Sequence, residues 1–126
     1  MDHQQVDSWL AAYVAAWKSY DRDAIGALFS EDARCWYHPY DEPVIGREAI
    51  VESWFGDRQD PLGTYDADYH CLTVEGDSAV TQGRSLYFKP DKSIDLEYDN
   101  IFVLRFDGDG RCLEFREWYM GPRGQA

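Results

Sequence analysis

The chain has few basic residues for its size. Its 126 residues include 12 Lys and Arg against 24 Asp and Glu, which gives a formal charge of −12 at pH 7. Nucleic-acid binding depends on clustered Lys and Arg side chains that neutralise phosphates. We therefore expect neither a nucleic acid nor an anionic membrane surface as a partner.

Long apolar segments are also missing. No run of the sequence approaches the roughly 18 consecutive apolar residues that a membrane-spanning helix requires. The stretch from Met1 to Gln5 has neither the basic start nor the apolar stretch of a secretion signal. We expect no membrane association and a cytoplasmic location.

The residues that usually hold metals or cofactors form no recognised pattern. Cys35, Cys71 and Cys112 are far apart and include no Cys-x-x-Cys pair, so they are expected to be small apolar residues of strands. The segment from His38 to Glu42 combines imidazole and carboxylate groups, but its spacing matches no rigid ligand motif and is typical of a solvated loop. The chain also has no Gly-x-Gly-x-x-Gly, Walker or Gly-x-Ser-x-Gly motif. We expect no metal and no cofactor.

Apolar residues at helical spacing predict three helices in the first half of the chain. The first runs from residue 3 to about residue 20, with Asp2 and Gln5 as a capping box. Asp21 is placed to cap a second, short helix, a strand follows at 33–37, and a loop leads to Gly46. A third helix ends at Gly56, and a polar loop follows it to Gly63. The apolar positions are Val6, Trp9, Leu10, Tyr13 and Trp17 in the first helix, Ile25, Leu28 and Phe29 in the second, and Ile50, Val51, Trp54 and Phe55 in the third.

The second half of the chain has the pattern of strands alone. Runs near 64–75, 78–89, 94–107 and 111–121 are separated by short segments that contain Gly-Asp, Asp-Gly or Pro-Asp. Such segments supply the backbone conformations that tight hairpin turns require. A long antiparallel meander is predicted, and a strongly curved sheet of this kind can wrap the helices and leave a hollow.

The order of elements resembles the nuclear-transport-factor-2-like superfamily, in particular its SnoaL-like and ketosteroid-isomerase-like branches. The resemblance is carried by Tyr13-Val-Ala-Ala16, by the short helix that contains Ala27-Leu28-Phe29, and by the segment from Val103 to Arg111. It implies one SnoaL-like domain over residues 1–126. The implied fold class is α+β, a cone-shaped curved antiparallel sheet wrapped around N-terminal helices, also called cystatin-like. Fold resemblance by itself does not establish an activity.

Ketosteroid isomerases also supply a register for candidate catalytic residues. In that family a tyrosine of the first helix donates a hydrogen bond to the substrate oxygen, an acidic residue after the first strand moves the proton, and a protonated aspartate completes the oxyanion hole. The resemblance places Tyr13 at the tyrosine position. The base position falls on His38 if one inserted residue is allowed, and on Tyr37 if it is not. Phe102 stands at the aspartate position, which argues against steroid isomerisation itself.

The candidate residues also have structural interpretations. His38 can act as a general base because imidazole titrates near neutral pH, but a loop histidine beside Pro39 can equally stack or hydrogen-bond locally. Tyr13 lies at helical spacing, which is typical of a core aromatic as well as of a hydrogen-bond donor.

Strand parity selects two more candidates, because side chains alternate across a strand. Asn100 shares a face with Tyr98 and Phe102, and Glu117 shares a face with Phe115 and Tyr119. A buried carboxylate requires a partner or a raised pKa. Glu117 is therefore either an acid or base, or the partner of Arg84, Asn100 or a tyrosine; a slip in the sheet would instead expose it to solvent.

These residues predict a pocket for a small apolar, oxygen-bearing metabolite. The predicted catalytic residues are His38, Tyr13, Glu117 and Asn100. The predicted walls are Trp17, Tyr37, Trp54, Tyr98, Phe102, Phe115 and Tyr119. The expected reaction is a cofactor-independent proton transfer or water activation of the isomerase, cyclase or hydrolase kind.

Two other interpretations remain open from the sequence. One is a binding or carrier protein that has the pocket without chemistry, and the other is a dimerisation module. Ile101, Val103 and Trp118 are predicted on the outer face of the sheet. Exposed apolar sheet surface favours pairing of two copies, so we expect a homodimer in every case.

Overall fold

The computed structural model describes residues 1–56 and 64–125. Its three helices are α1 (His3–Ser19), α2 (Arg22–Ala27) and α3 (Arg47–Gly56), as the apolar spacing predicted. At the start of α1, Gln5 N–H donates to the Asp2 carboxylate over 2.8 Å, and the Gln5 side chain accepts from Asp2 N–H over 2.9 Å. The capping box is therefore confirmed. The predicted polar loop before Gly63 lies outside the described residues.

Six strands form one sheet in the order β2-β1-β6-β5-β4-β3. Their bounds are β1 (Phe29–Trp36), β2 (Val44–Ile45), β3 (Tyr65–Glu75), β4 (Ser78–Phe88), β5 (Ile94–Phe106) and β6 (Cys112–Met120). Strand β1 runs parallel to β6, and the other neighbouring pairs are antiparallel. The four-stranded meander of the second half is confirmed with bounds close to those predicted.

Two boundaries in the first half differ from the prediction. Phe29 begins β1 instead of extending the short helix, because it pairs with Cys112 of β6. A two-residue strand, β2, interrupts the predicted loop before Gly46 and pairs with Arg34 and Cys35 of β1. Both differences arise from pairing between distant segments, which local residue spacing does not report.

The helices cover the concave face of the sheet and form the core with it. Helix α1 buries Val6, Trp9, Leu10 and Tyr13 and packs mainly against β3. The indole N–H of Trp9 donates to the Leu28 carbonyl over 3.0 Å, so this large ring is buried without losing its hydrogen bond. None of the helices in the described part of the chain is long and apolar enough to cross a membrane.

The parity predicted for β5 is confirmed by its burial. Asn100, Phe102 and Leu104 are buried, whereas Ile101 and Val103 on the opposite face are only partly buried. Phe102 pairs with Glu117, and the irregularity between β5 and β6 falls only beyond Arg105. The strands therefore keep one register through Asn100 and Glu117, and both side chains lie on the concave face.

Gly83 allows β3 and β4 to approach closely beside this face. A Cβ atom at residue 83 would overlap the carbonyl oxygen of Asp68 and the ring and Cα of Tyr69. Because the position has no side chain, the ring of Tyr69 reaches Phe102 with a centroid distance of 4.8 Å. The glycine thus sets the position of one wall of the hollow described below.

Candidate active site

A cavity of about 390 Å³ lies between α1, the loop after β1 and the concave face of the sheet. Helix α1 and the segment after β1 contribute Tyr13, Trp17, Tyr37, His38 and Asp41. Strands β3 and β4 contribute Tyr65, Tyr69, Ser85 and Tyr87. Strands β5 and β6 contribute Asp95, Leu96, Tyr98, Asn100, Glu117 and Tyr119. The volume and the aromatic lining suit a small organic molecule.

A chain of three polar side chains forms part of the cavity wall. Ser85 Oγ donates to Asn100 Oδ1 over 3.0 Å, and Asn100 Nδ2 donates to Glu117 Oε2 over 2.8 Å. Ser85 and Asn100 are buried. Since Ser85 occupies the amide oxygen, Asn100 presents its N–H to Glu117. The carboxyl group of Glu117 therefore has a fixed donor and a defined orientation.

The environment of Glu117 changes its acidity. Burial among aromatic side chains raises the pKa of its carboxyl group from an ordinary value of 4.5 to about 7, and the hydrogen bond from Asn100 partly offsets that rise. Burial favours the neutral acid because it removes the hydration of the carboxylate. A group with this pKa is present as both acid and base near neutral pH, a property that favours proton transfer.

Tyr13 is both a core residue and a residue of the cavity wall. Its ring stacks on Phe115 with a centroid distance of 5.6 Å and meets Phe102 and Trp54 edge to face, each at 5.4 Å. Burial, and then the negative charge of Glu117, raise the pKa of its hydroxyl well above the ordinary value. The hydroxyl therefore remains protonated and can serve as a hydrogen-bond donor. The two interpretations of Tyr13 made from the sequence are compatible.

Tyr37 is held in a separate hydrogen-bond network. Its hydroxyl lies 2.9 Å from Ser53 Oγ, which itself donates to the Ile50 carbonyl over 2.6 Å. Because Ser53 uses its one proton on Ile50, Tyr37 is the donor in the first bond. Burial also raises the pKa of the Tyr37 hydroxyl far above its usual range. Its proton is thus committed to α3, which disfavours Tyr37 as a base.

His38 lies exposed at the mouth of the cavity. Its Nδ1 accepts a long hydrogen bond of 3.3 Å from the Tyr40 N–H, and the two rings are 6.0 Å apart. The imidazole lines the same cavity as Glu117. It therefore combines the local hydrogen bond expected of a loop histidine with access to a ligand.

The predicted wall residues divide into two sets. Trp17, Tyr37, Tyr98 and Tyr119 line the cavity. Trp54, Phe102 and Phe115 are buried in the core and are not among its described lining residues, which corrects the prediction that they face the ligand. The reason is a second aromatic layer: Trp17 stacks on Trp54 at 4.1 Å, and Tyr13 covers Phe102 and Phe115.

Sequence reasoning missed several lining residues on the first two strands of the meander. Tyr65 and Tyr69 share one face of β3, and Ser85 and Tyr87 share one face of β4. The parity argument that selected Asn100 would have found them if it had been applied to those strands. Asp41 and Asp95 were also missed, because an exposed acidic residue carries no local signal of a nearby cavity.

The described residues offer little to bind a metal ion. No group of three or more His, Cys, Asp or Glu side chains in this part of the chain is arranged to hold one. Cys35, Cys71 and Cys112 are buried free thiols, and burial raises the pKa of each. A raised pKa disfavours the thiolate that nucleophilic chemistry and metal binding require.

Three solved structures with similar folds illustrate the range of proteins that share this architecture. An NTF-2-like protein of unknown function from Burkholderia xenovorans LB400 matches with a TM-score of 0.72 and 17% identity, over 98% of this chain and 88% of that one. A provisionally named ketosteroid isomerase from Kribbella flavida DSM 17836 also matches with a TM-score of 0.72 and 17% identity, over 99% of this chain and 84% of that one. SalBIII, an epoxide hydrolase/cyclase-like enzyme of pyran ring formation in the polyether salinomycin, matches with a TM-score of 0.73 and 18% identity, over 94% of this chain and 93% of that one.

At these identities the three structures establish the fold alone. No curated protein matches the sequence significantly. A family model for the SnoaL-like domain matches residues 10–115, a range that includes the C-terminal part of α1 and Asn100 and ends two residues before Glu117. The chain therefore belongs to the SnoaL-like domain family, with the NTF2-like α+β fold.

Proposed function

We propose that this protein is a cofactor-independent enzyme that moves a proton on a small, largely apolar, oxygen-bearing molecule, as an isomerase or cyclase does. The observation that carries the proposal is Glu117, a carboxyl group held by Asn100 in an aromatic cavity, with its pKa raised to about 7. The similarity in fold to a provisionally named ketosteroid isomerase and to an epoxide hydrolase/cyclase-like enzyme is compatible with this chemistry.

In the proposed step, ionised Glu117 removes a proton from a carbon next to a carbonyl group. The electron pair of the broken C–H bond forms a C=C bond, and the carbonyl oxygen becomes an enolate. Tyr13, which keeps its proton at neutral pH, donates a hydrogen bond to that oxygen. Glu117 then returns the proton to another atom of the same molecule, so no external acid or base is consumed.

Glu117 is a better candidate for the base than His38 in this proposal. The Glu117 carboxyl is oriented by a 2.8 Å hydrogen bond from a buried side chain, whereas the His38 imidazole is exposed and accepts a 3.3 Å hydrogen bond from its own loop. Orientation of the reacting group contributes strongly to rate. We assign His38 a role at the mouth, where it can contact the substrate.

The proposal is tested by proton exchange on a simple carbonyl compound. The enzyme is incubated in D2O with a benzo-fused cyclic ketone such as 2-tetralone, and incorporation of deuterium next to the carbonyl is followed by NMR. We expect exchange above background with wild type, rising with pH around a midpoint near 7, and a loss of about 100-fold or more in Glu117→Gln. Glu75→Gln, which removes an exposed carboxylate from β3, is the matched control.

A ligand-binding protein without chemistry is the competing proposal, and Phe102 is the observation that favours it. A buried phenylalanine stands where the resemblance to ketosteroid isomerases places an oxyanion aspartate. If the ketone binds to wild type and Glu117→Gln equally well but neither protein accelerates exchange, the carrier function replaces the enzymatic one.

We also propose a homodimer that forms through the outer face of the sheet. Trp118 is 43% exposed and Met120 76% exposed, and together with Ile101 they line an apolar groove on that face. Burial of this surface between two copies would remove it from water. We expect light scattering to report twice the chain mass for wild type and a shift toward the monomer for Trp118→Glu.

A further inference from the structure

The wall of the cavity includes a row of aromatic rings, one from α1 and one from each strand of the meander. Trp17 lies 6.1 Å from Tyr65, Tyr65 lies 5.4 Å from Tyr87, Tyr87 lies 6.2 Å from Tyr98, and Tyr98 lies 5.2 Å from Tyr119, all as distances between ring centroids. All five residues line the same cavity. We call this set of residues the aromatic belt.

The charged groups of the cavity are acidic. Asp41, Asp95 and Glu117 line it, and no Lys or Arg is among its described lining residues. Asp41 and Asp95 are exposed and lie toward the mouth, whereas Glu117 is half-buried beside the buried Asn100. A cleft lined by one sign of charge concentrates the opposite sign, and the chain as a whole carries a formal charge of −12.

Aromatic faces and carboxylates attract the same kind of ligand. The π-electrons of Trp and Tyr give each ring a negative face that binds ammonium groups, and this attraction strengthens where water is partly excluded. Carboxylates at the mouth also attract positively charged groups. An anionic ligand would meet repulsion from Asp41, Asp95 and ionised Glu117, and a neutral ligand would gain no charge attraction from them.

We infer that the ligand of this cavity is an organic cation, a protonated amine or quaternary ammonium compound with an apolar body. The ammonium group lies within the aromatic belt, near Asp41 and Asp95, and the rest of the molecule extends toward Glu117 and Asn100. The inference rests on the proposed function, since both assign the ligand to this cavity. It specifies the charge of the substrate, which the proposed function leaves open.

Binding of three probes that differ in charge tests the inference. Isothermal titration calorimetry at low salt and about pH 8 compares 2-phenylethylammonium with 2-phenylethanol, which has nearly the same shape, and with phenylacetate. We expect the cation to bind at least about tenfold more tightly than the alcohol, and the anion to bind most weakly.

Two double variants distinguish charge in the cavity from charge on the whole protein. Asp41→Asn/Asp95→Asn is expected to reduce the preference for the cation to about threefold or less. Glu31→Gln/Glu75→Gln removes two exposed carboxylates that do not line the cavity, and it should keep the full preference. Equal loss in both double variants would overturn the inference, because the preference would then come from net charge.

The remaining outcomes separate this inference from the proposed function. If the alcohol binds as tightly as the ammonium compound, the ligand is not selected as a cation, and the proton-transfer proposal is unaffected. If none of the three probes binds, the inference is overturned as well. An NMR titration of Glu117 in the free protein judges the proposed function independently, since a pKa far below 7 would remove the combined acid and base character on which that proposal rests, without reference to any ligand.

Discussion

Replacing Glu117 with glutamine should make the stability of this protein less sensitive to pH. The pKa of Glu117 is raised from 4.5 to about 7 in the folded protein, so between these values the folded chain keeps a proton that the unfolded chain has lost. Stability therefore falls as pH rises through this window. Each pKa unit is worth about 1.4 kcal/mol, which puts the full loss above pH 7 at about 3 kcal/mol.

The difference between wild type and Glu117→Gln isolates this contribution. Because glutamine does not titrate, the free energy of unfolding of the variant relative to wild type should increase by about 2 kcal/mol between about pH 5.5 and about pH 8.5. Urea unfolding of both proteins at several pH values measures this difference in unfolding free energy. Glu75→Gln, on the exposed surface of β3, is the control for loss of a carboxylate. Parallel curves for wild type and Glu117→Gln across this range would refute the burial argument.

Three further substitutions test the contacts around the site. Asn100→Leu removes the donor that stabilises ionised Glu117, so the Glu117 pKa should rise by about one unit in an NMR titration; an unchanged pKa would contradict the role of that hydrogen bond. Gly83→Ala should destabilise the fold by about 2 kcal/mol or more in urea unfolding, because a Cβ would overlap the Asp68 carbonyl. Gly108→Ala is the control and should have little effect, since a Cβ at residue 108 would meet no atom within 4 Å. Asp2→Ala removes the cap of α1 and should lower the free energy of unfolding by about 1 kcal/mol, and an unchanged midpoint would show that the cap contributes nothing.

The elements of the fold follow from local patterns in the sequence. The spacing of Val6, Trp9, Leu10 and Tyr13 predicts α1, since a helix repeats every 3.6 residues and its apolar face must be buried. The four strands of the second half follow from alternation and turn residues. The two errors, at Phe29 and at β2, come from strand pairing between segments that are distant in sequence.

The candidate site was only partly accessible from sequence. Parity placed Asn100 and Glu117 on the concave face correctly, because side chains alternate along a strand and no bulge intervenes. Whether an inward-facing aromatic reaches the cavity depends on what covers it. Phe102 and Phe115 face inward as predicted, yet Tyr13 lies over them.

The sequence by itself therefore determined the helices, the meander, the SnoaL-like family and the inward orientation of the polar pair. Only the tertiary structure decided that Ser85 orients Asn100 toward Glu117, that Tyr37 donates its proton to Ser53, and that five aromatic rings form a belt. Local patterns in the sequence indicate which face of a helix or strand is buried. Contacts between distant segments, and the burial that raises the Glu117 pKa, exist only once those faces have packed together.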